Sequence, residues 1–172
     1  YGTREFGPFF ALLTRLRELM PELEFTGDYN DAIILEARAT KDPAEIEEIR
    51  KMGRITVDVV QRVQDYLASH KLENETLIKE DGNPLTIGDV KSLINLWLAE
   101  AGAENPEATI FAIGRDGGIP HSTGTPEDPI QLGKAIVFDI FPCQGGGGYF
   151  YDFTRTWCLG YAPEEVQQAY DQ

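Results

Sequence analysis

The chain has 172 residues, of which 42% are hydrophobic and 26% charged, the composition of an ordinary globular protein. Its formal net charge of −14 argues against nucleic-acid binding, because phosphates repel such a chain unless a basic stripe compensates, and the sequence has none. No apolar run approaches the roughly 18 residues that span a bilayer, and nothing resembles a signal peptide, so we expect a cytoplasmic protein without a membrane partner.

The first 40 residues predict one amphipathic helix and one short strand. Phe6 to Leu19 carries apolar residues at helical spacing with arginines towards water, and Pro21 ends the pattern. A turn over Asp28 to Asp31 and a strand at Ala32 to Leu35 should follow. This segment, residues 1–40, is too small to fold alone.

Two longer helices are predicted next. The stretch Asp42-Pro43-Ala44-Glu45 is a helix start, with an Asp cap, Pro at the first position and a Glu that reaches back to the cap. Apolar residues then recur at helical spacing to about Ser69. A second helix opens at Thr86 to Asp89 and ends at Gly102, and residues 108–113 read as a strand.

A glycine-rich hairpin is the most informative part of the sequence. An apolar run from Ala135 to Phe141 meets four glycines, Gly145 to Gly148, and a β-rich run from Tyr149 to Leu159 follows. Two β-prone runs joined by such a loop predict an antiparallel hairpin. With the loop centred near its first two glycines, Asp139 should lie directly opposite Asp152.

Two opposed aspartates require a shared cation or a shared proton. Directly opposed residues have Cβ atoms roughly 4.5–5.5 Å apart, so their carboxylates repel. Oxygen ligands in strands this apolar favour a divalent metal at Asp139 and Asp152. Two alternatives stay open: either residue could be an edge or turn former, and a one-residue slip would place them on opposite faces. The same register separates Cys143 from Cys158, so we expect two free thiols.

The segments FDI and GYFYDFTRT resemble the signature of the pita-bread metallopeptidases, which include aminopeptidase P, prolidase and methionine aminopeptidase. KDPAEIEEIRK is similar to the first helix of their catalytic domain, although the glycine loop is longer here than in the common pattern. The resemblance implies that Asp139 and Asp152 are the first two of five metal ligands. They would hold two divalent ions, Mn, Co or Zn, with Asp139 chelating one and Asp152 bridging both.

Two further residues acquire candidate roles. His121 lies in the polar loop from Gly114 to Gly124, where the residues alone favour a surface turn. The resemblance instead implies a catalytic histidine that binds no metal and stabilises the charge that develops on the substrate. Thr154, two residues after Asp152, could orient a carboxylate or the water, but ordinary β-branched strand filling is the first interpretation.

The resemblance implies an α/β (α+β) fold, with helices on one face of a curved, mainly antiparallel sheet. Residues 41–172 would form the N-terminal half of a pita-bread domain, and residues 1–40 the tail of an N-terminal domain. Methionine aminopeptidase lacks that domain, so the segment favours the proline-directed branch. A helix that starts at residues 162–165 runs towards the end of the sequence, from which we expect a longer parent chain. Its C-terminal half would carry the remaining His and two Glu ligands.

The implied activity is that of a dinuclear metal-dependent exopeptidase cutting at Xaa-Pro bonds, either aminopeptidase P-like or prolidase-like. Its substrate would be a peptide with proline near the N-terminus. With two of the five ligands, the 172 residues alone should be inactive. The alternatives are a catalytically silent binding module, a metal-independent creatinase-type hydrolase and a metal-binding β-domain outside the family. Dimerisation is common among such enzymes, so a homodimer is a further expectation.

Overall fold

A computed structural model describes residues 6–27, 29–30 and 32–171. The chain divides into two compact units, Tyr1–Lys41 and Asp42–Gln172. The predicted boundary, between residues 40 and 41, lies one residue earlier, and the first segment as the tail of a larger domain stays a prediction.

The first unit contains two helices whose described side chains are not buried. Helix α1 spans Phe6–Leu19, as the periodicity predicts, and α2 spans Ala32–Ala39. The strand predicted at Ala32 to Leu35 is therefore wrong. Its two isoleucines favour strand, but they lie in AIILEARA, where Ala, Leu, Glu and Arg all favour helix. The turn predicted over Asp28 to Asp31 lies partly outside the described residues.

The second unit is organised by two helices with complete capping boxes. Helix α3 spans Pro43–Ala68; Asp42 Oδ1 accepts a bond from the Glu45 N–H at 2.8 Å, and Glu45 Oε2 accepts one from the Asp42 N–H at 2.7 Å. Helix α4 spans Ile87–Glu100, and Thr86 and Asp89 exchange the same pair of bonds at 3.2 and 3.0 Å. Both predicted helix starts are confirmed.

Short antiparallel sheets complete this unit. The strands are β1 (Lys71–Glu73), β2 (Thr76–Ile78), β3 (Ala103–Glu104), β4 (Ile110–Ile113), β5 (Ala135–Ile140), β6 (Cys143–Gln144) and β7 (Phe153–Cys158), and the last helix is α5 (Glu164–Tyr170). β1 pairs with β2, β3 with β6, and the largest described sheet has the order β4-β5-β7. β4 starts later than predicted because Ala108 has a φ of 65°, which breaks the extended run.

One apolar cluster joins α3, α4 and one face of the β4-β5-β7 sheet. Its fully buried members include Val63, Ile94, Phe111, Ile136 and Phe138. The mixed α/β class with antiparallel pairing is thus confirmed in its coarse form. Both cysteines are free thiols, as predicted. None of the described helices is long and apolar enough to cross a membrane.

Candidate metal centre

The β5–β7 pairing brings the two candidate aspartates to one face, but not into direct opposition. Asp139 lies opposite Thr154, not Asp152, so the predicted register is wrong by two residues. The turn is centred later than expected, on Gly146 and Gly147, whose φ values are 83° and 86°. Because side chains alternate with a period of two, this shift keeps Asp152 on the face of Asp139, diagonally across the strand pair.

The turn position is set by contacts outside the hairpin. The N–H of Gly145 donates to the carbonyl of Gly102 at 3.0 Å, and the N–H of Gly146 donates to Glu104 Oε1 at 3.0 Å. A Cβ on Gly145 would lie 2.9 Å from the Gly102 oxygen, so the close approach requires glycine. Glu104 was missed by the sequence reasoning, because nothing near it in the chain indicates that it caps a distant loop.

The carboxylate of Asp139 is oriented by its cross-strand neighbour. The hydroxyl of Thr154 donates to Asp139 Oδ1 at 2.6 Å. On the other side of the central strand, Ile110 of β4 lies opposite Asp139. Asp139 is half-buried, and its strand neighbours Phe138 and Ile140 are buried on the opposite face. The packed face therefore fixes the backbone from which this carboxylate projects.

The two carboxyl groups interact with each other. Although the Asp152 side chain reaches solvent, partial loss of water is the largest cause that raises its pKa, followed by the charge of Asp139 and a hydrogen bond with that residue. Two carboxyls can share a hydrogen bond only while one holds a proton. Among the described residues, no Lys or Arg forms an ion pair with either aspartate. Arg155 instead stacks on Phe153 and donates to the Thr154 carbonyl.

His121 forms no hydrogen bond to Asp139 or Asp152 within the described residues. It is exposed and has a φ of 61°. Its loop is fixed at both flanks: Thr125 donates to Asp116 at 2.9 Å, and Lys91 donates to the Thr123 carbonyl at 3.0 Å. A left-handed backbone at a non-glycine residue is uncommon and concentrates at functional sites.

The donor set suits part of a metal site. Two carboxylates and a nearby hydroxyl on one face are the oxygen ligands that hard divalent cations prefer. Over residues 6–27, 29–30 and 32–171, however, no cluster of three or more His, Cys, Asp or Glu side chains could hold an ion. The described residues therefore fit two ligands of such a centre and not a complete one.

Comparisons with known proteins identify the family of this chain and relatives that share its fold. The model of metallopeptidase family M24 matches residues 47–172. The probable dipeptidase PepE of Mycobacterium tuberculosis (strain H37Rv) is 27% identical over 138 residues, which cover 80% of this chain and 32% of that protein.

Solved structures show the same fold. The X-Pro aminopeptidase from Thermotoga maritima superimposes with a TM-score of 0.68 at 22% identity, over 94% of this chain and 40% of that one. The dipeptidase PepE from Mycobacterium ulcerans gives 0.62 at 26% identity, over 81% and 33%. The prolidase from Pyrococcus horikoshii gives 0.64 at 22%, over 82% and 36%.

The chain thus spans about a third of the length of the curated relatives it matches. Within that third, the family match runs from the second turn of α3 through the hairpin with both aspartates to residue 172. Since the match covers well over half of its residues, this chain belongs to metallopeptidase family M24 and is similar to prolidases and Xaa-Pro aminopeptidases.

Proposed function

We propose that Asp139 and Asp152 are metal ligands of a dinuclear exopeptidase that cleaves peptides at Xaa-Pro bonds. One observation carries the proposal: the two carboxylates share one face of the β5–β7 pair, and no cationic side chain among the described residues neutralises them. A divalent cation would remove their repulsion. Family membership supports a metallopeptidase, and the names of the similar structures support proline-directed cleavage.

The residues of this chain have separate parts in the proposed site. Asp139 and Asp152 would hold the ions, and the 2.6 Å bond from Thr154 fixes which oxygen of Asp139 remains available. His121 would donate a hydrogen bond to the substrate oxygen on which negative charge develops. When bound, a pair of Mn, Co or Zn ions supplies Lewis acidity and a water of lowered pKa.

The remaining ligands are proposed to lie in a longer parent chain. The resemblance calls for a further His and two Glu, and the curated relatives are about three times as long as the segment they share with this chain. We therefore expect the 172 residues alone to be inactive. The relatives named dipeptidase and aminopeptidase leave two substrate classes, Xaa-Pro dipeptides and longer peptides with proline in second position.

The test is metal content and hydrolysis in the full-length protein that carries these residues. We expect about two Mn, Co or Zn ions per chain, as in two-metal hydrolases, and cleavage of Xaa-Pro or Xaa-Pro-Yaa peptides. Asp152→Asn should lose metal and at least about 100-fold in activity. Asp58→Asn, which removes an exposed carboxylate on α3, is the matched control and should retain both.

The two peptide substrates distinguish the two candidate reactions. Cleavage of the dipeptide alone selects the prolidase-like reaction, and cleavage of longer peptides selects the aminopeptidase P-like one. A folded parent that holds no metal and cleaves neither peptide would overturn the proposal. It would leave the silent binding module or the metal-independent hydrolase.

A further inference from the structure

Gly53 occupies a helical position, which does not require the conformational freedom of glycine. It lies in the interior of α3 and is buried. Its backbone is helical, a conformation that alanine adopts more favourably than glycine. The absence of a side chain at this position therefore needs a packing reason.

The packing reason is the ring of Tyr151. A Cβ placed on Gly53 would lie 2.7 Å from Cε2, 3.0 Å from Cδ2 and 3.1 Å from Cζ of that ring. Real Cβ atoms essentially never make a contact of 2.7 Å, so a side chain at this position would force the Tyr151 ring to shift. Tyr151 packs against the apolar core from this position.

Tyr151 lies between two backbone-paired positions, the bridge of Phe150 to Cys143 and the pairing of Phe153 with Ile140. It precedes β7, which begins at Phe153, and its N–H donates to the Pro142 carbonyl at 3.1 Å. Pro142 has no N–H with which to return the bond, as an ordinary antiparallel pair would. Between those two paired positions, Tyr151 itself is placed by this one backbone bond and by the packing of its ring against α3.

Asp152 follows Tyr151 directly and projects to the opposite, exposed side. The flanking residues Tyr151 and Phe153 both pack on the core. A displacement of the Tyr151 ring out of α3 would therefore move the Asp152 backbone and change its separation from Asp139. The diagonal geometry of the pair makes that separation sensitive, since no ladder position holds the two residues opposite each other.

We infer that Gly53 and Tyr151 are positioning residues that set the distance between the Asp139 and Asp152 carboxylates. The inference deepens the proposed function and rests on it for its catalytic meaning. Neither residue would touch the metal or the substrate. Their effect would pass through the backbone of Asp152, a ligand that must be held within about 0.5 Å of its working geometry.

A matched control separates positioning from stability. Gly88, in the first turn of α4, is also crowded: its Cβ would lie 3.1 Å from the Pro126 oxygen and 3.2 Å from the Pro126 Cβ. Gly88→Ala would therefore also force a neighbour, Pro126, to shift by a few tenths of an ångström, but on another element. Tyr151→Leu removes the ring without adding an atom to α3, so it tests the anchor even if Gly53→Ala fails to fold.

The experiment compares these variants in the full-length protein. Metal-free crystal structures give the separation of the two carboxyl carbons, titration calorimetry gives Mn²⁺ affinity, and thermal unfolding in EDTA gives stability. Gly53→Ala and Tyr151→Leu should increase the separation by about 0.5 Å or more and weaken Mn²⁺ binding by about 10-fold or more. Gly88→Ala should change Mn²⁺ affinity less than about twofold, whatever shift of melting temperature it produces.

The outcomes distinguish the inference from the proposed function. An unchanged carboxyl separation in Tyr151→Leu, or an equal loss of Mn²⁺ affinity in Gly88→Ala, would overturn the positioning role. A wild-type protein that binds no Mn²⁺, Co²⁺ or Zn²⁺ would overturn the proposed function instead. In that case the crystallographic separation still decides whether Gly53 and Tyr151 place Asp152.

Discussion

The two faces of the β4-β5-β7 sheet differ in the burial and the type of the side chains that the same strands present. Along β5, buried Ile136, Phe138 and Ile140 alternate with partly exposed Ala135, Val137 and Asp139. One face packs on the helices. The other presents Asp139, Asp152 and two threonines of β7.

The contrast suggests separate roles for the two faces, folding for the buried face and the proposed metal binding for the exposed one. On the buried side, the ring of Phe138 contacts those of Phe111 and Trp157 edge to face, and this packing fixes the strand from which Asp139 projects. On the exposed side, two like charges lie close together, which disfavours folding of the metal-free chain. Substitutions on one face should therefore change stability, and substitutions on the other should change metal binding.

The largest expected effect is on the buried face. Phe138→Ala should lower the free energy of unfolding by about 3–5 kcal/mol, the usual cost of removing a fully buried aromatic ring. The ring contacts Phe111 and Trp157 at centroid distances of 5.1 and 5.3 Å, so both would face a cavity. Urea denaturation measures the change. Val137→Ala, one residue away on the other face, should cost less than about half as much; equal losses would contradict the division between the faces.

How much of this could be predicted from sequence depends on how local the signals are. The starts of α3 and α4 were predictable because Asp42 with Glu45, and Thr86 with Asp89, satisfy helix ends within four residues. The hairpin, and the placement of Asp139 and Asp152 on one face of it, also followed from the alternation of side chains along the strands. The register did not, because Gly102 and Glu104 fix the turn from outside the hairpin.

Two other features were missed for different reasons. The α2 segment was predicted as a strand from its isoleucines, although the surrounding residues favour helix. A glycine inside a helix indicates close packing at that position, so the sequence singles out Gly53. Its packing partner, Tyr151, is distant in sequence and could not be identified. The roles of His121 and of the aspartates as metal ligands remain predictions.

The next largest effect is expected on the exposed face, at the residue that hydrogen-bonds Asp139. Thr154→Val keeps the shape of the side chain but removes the hydroxyl that donates to Asp139 at 2.6 Å. We expect Mn²⁺ affinity of the full-length protein to fall by about 10-fold, as for other groups that orient a metal ligand. The free energy of unfolding should change by less than about 1 kcal/mol, because the site is exposed.

Thr156→Val is the matched control for this change. Thr156 is exposed on the same face of the same strand, opposite Val137, and has no recorded side-chain hydrogen bond to a described residue. It should leave Mn²⁺ affinity within about twofold. Equal affinity losses in the two variants would show that the polarity of the face, and not the bond to Asp139, matters.

The smallest expected effect concerns the charge pair without metal. Burial, the charge of Asp139 and a bond with that residue raise the pKa of Asp152 above its ordinary value. The folded state therefore binds the proton more tightly than the unfolded state, whose aspartate has a pKa of about 3.9. As pH rises from below that value through the raised pKa, the metal-free protein should lose stability. Asp152→Asn carries no such charge and should avoid this loss.

In EDTA, Asp152→Asn should thus melt at a slightly higher temperature than wild type at pH 7, with the difference shrinking as pH falls towards about 3.9. Asp58→Asn removes an equal charge from α3, an element other than the two strands of the pair, and controls for the net charge of −14. If both variants gained the same stability at pH 7, general charge repulsion would account for the effect. A gain confined to Asp152→Asn, abolished by acid, would instead identify the Asp139–Asp152 contact as the part of the exposed face that metal binding must relieve.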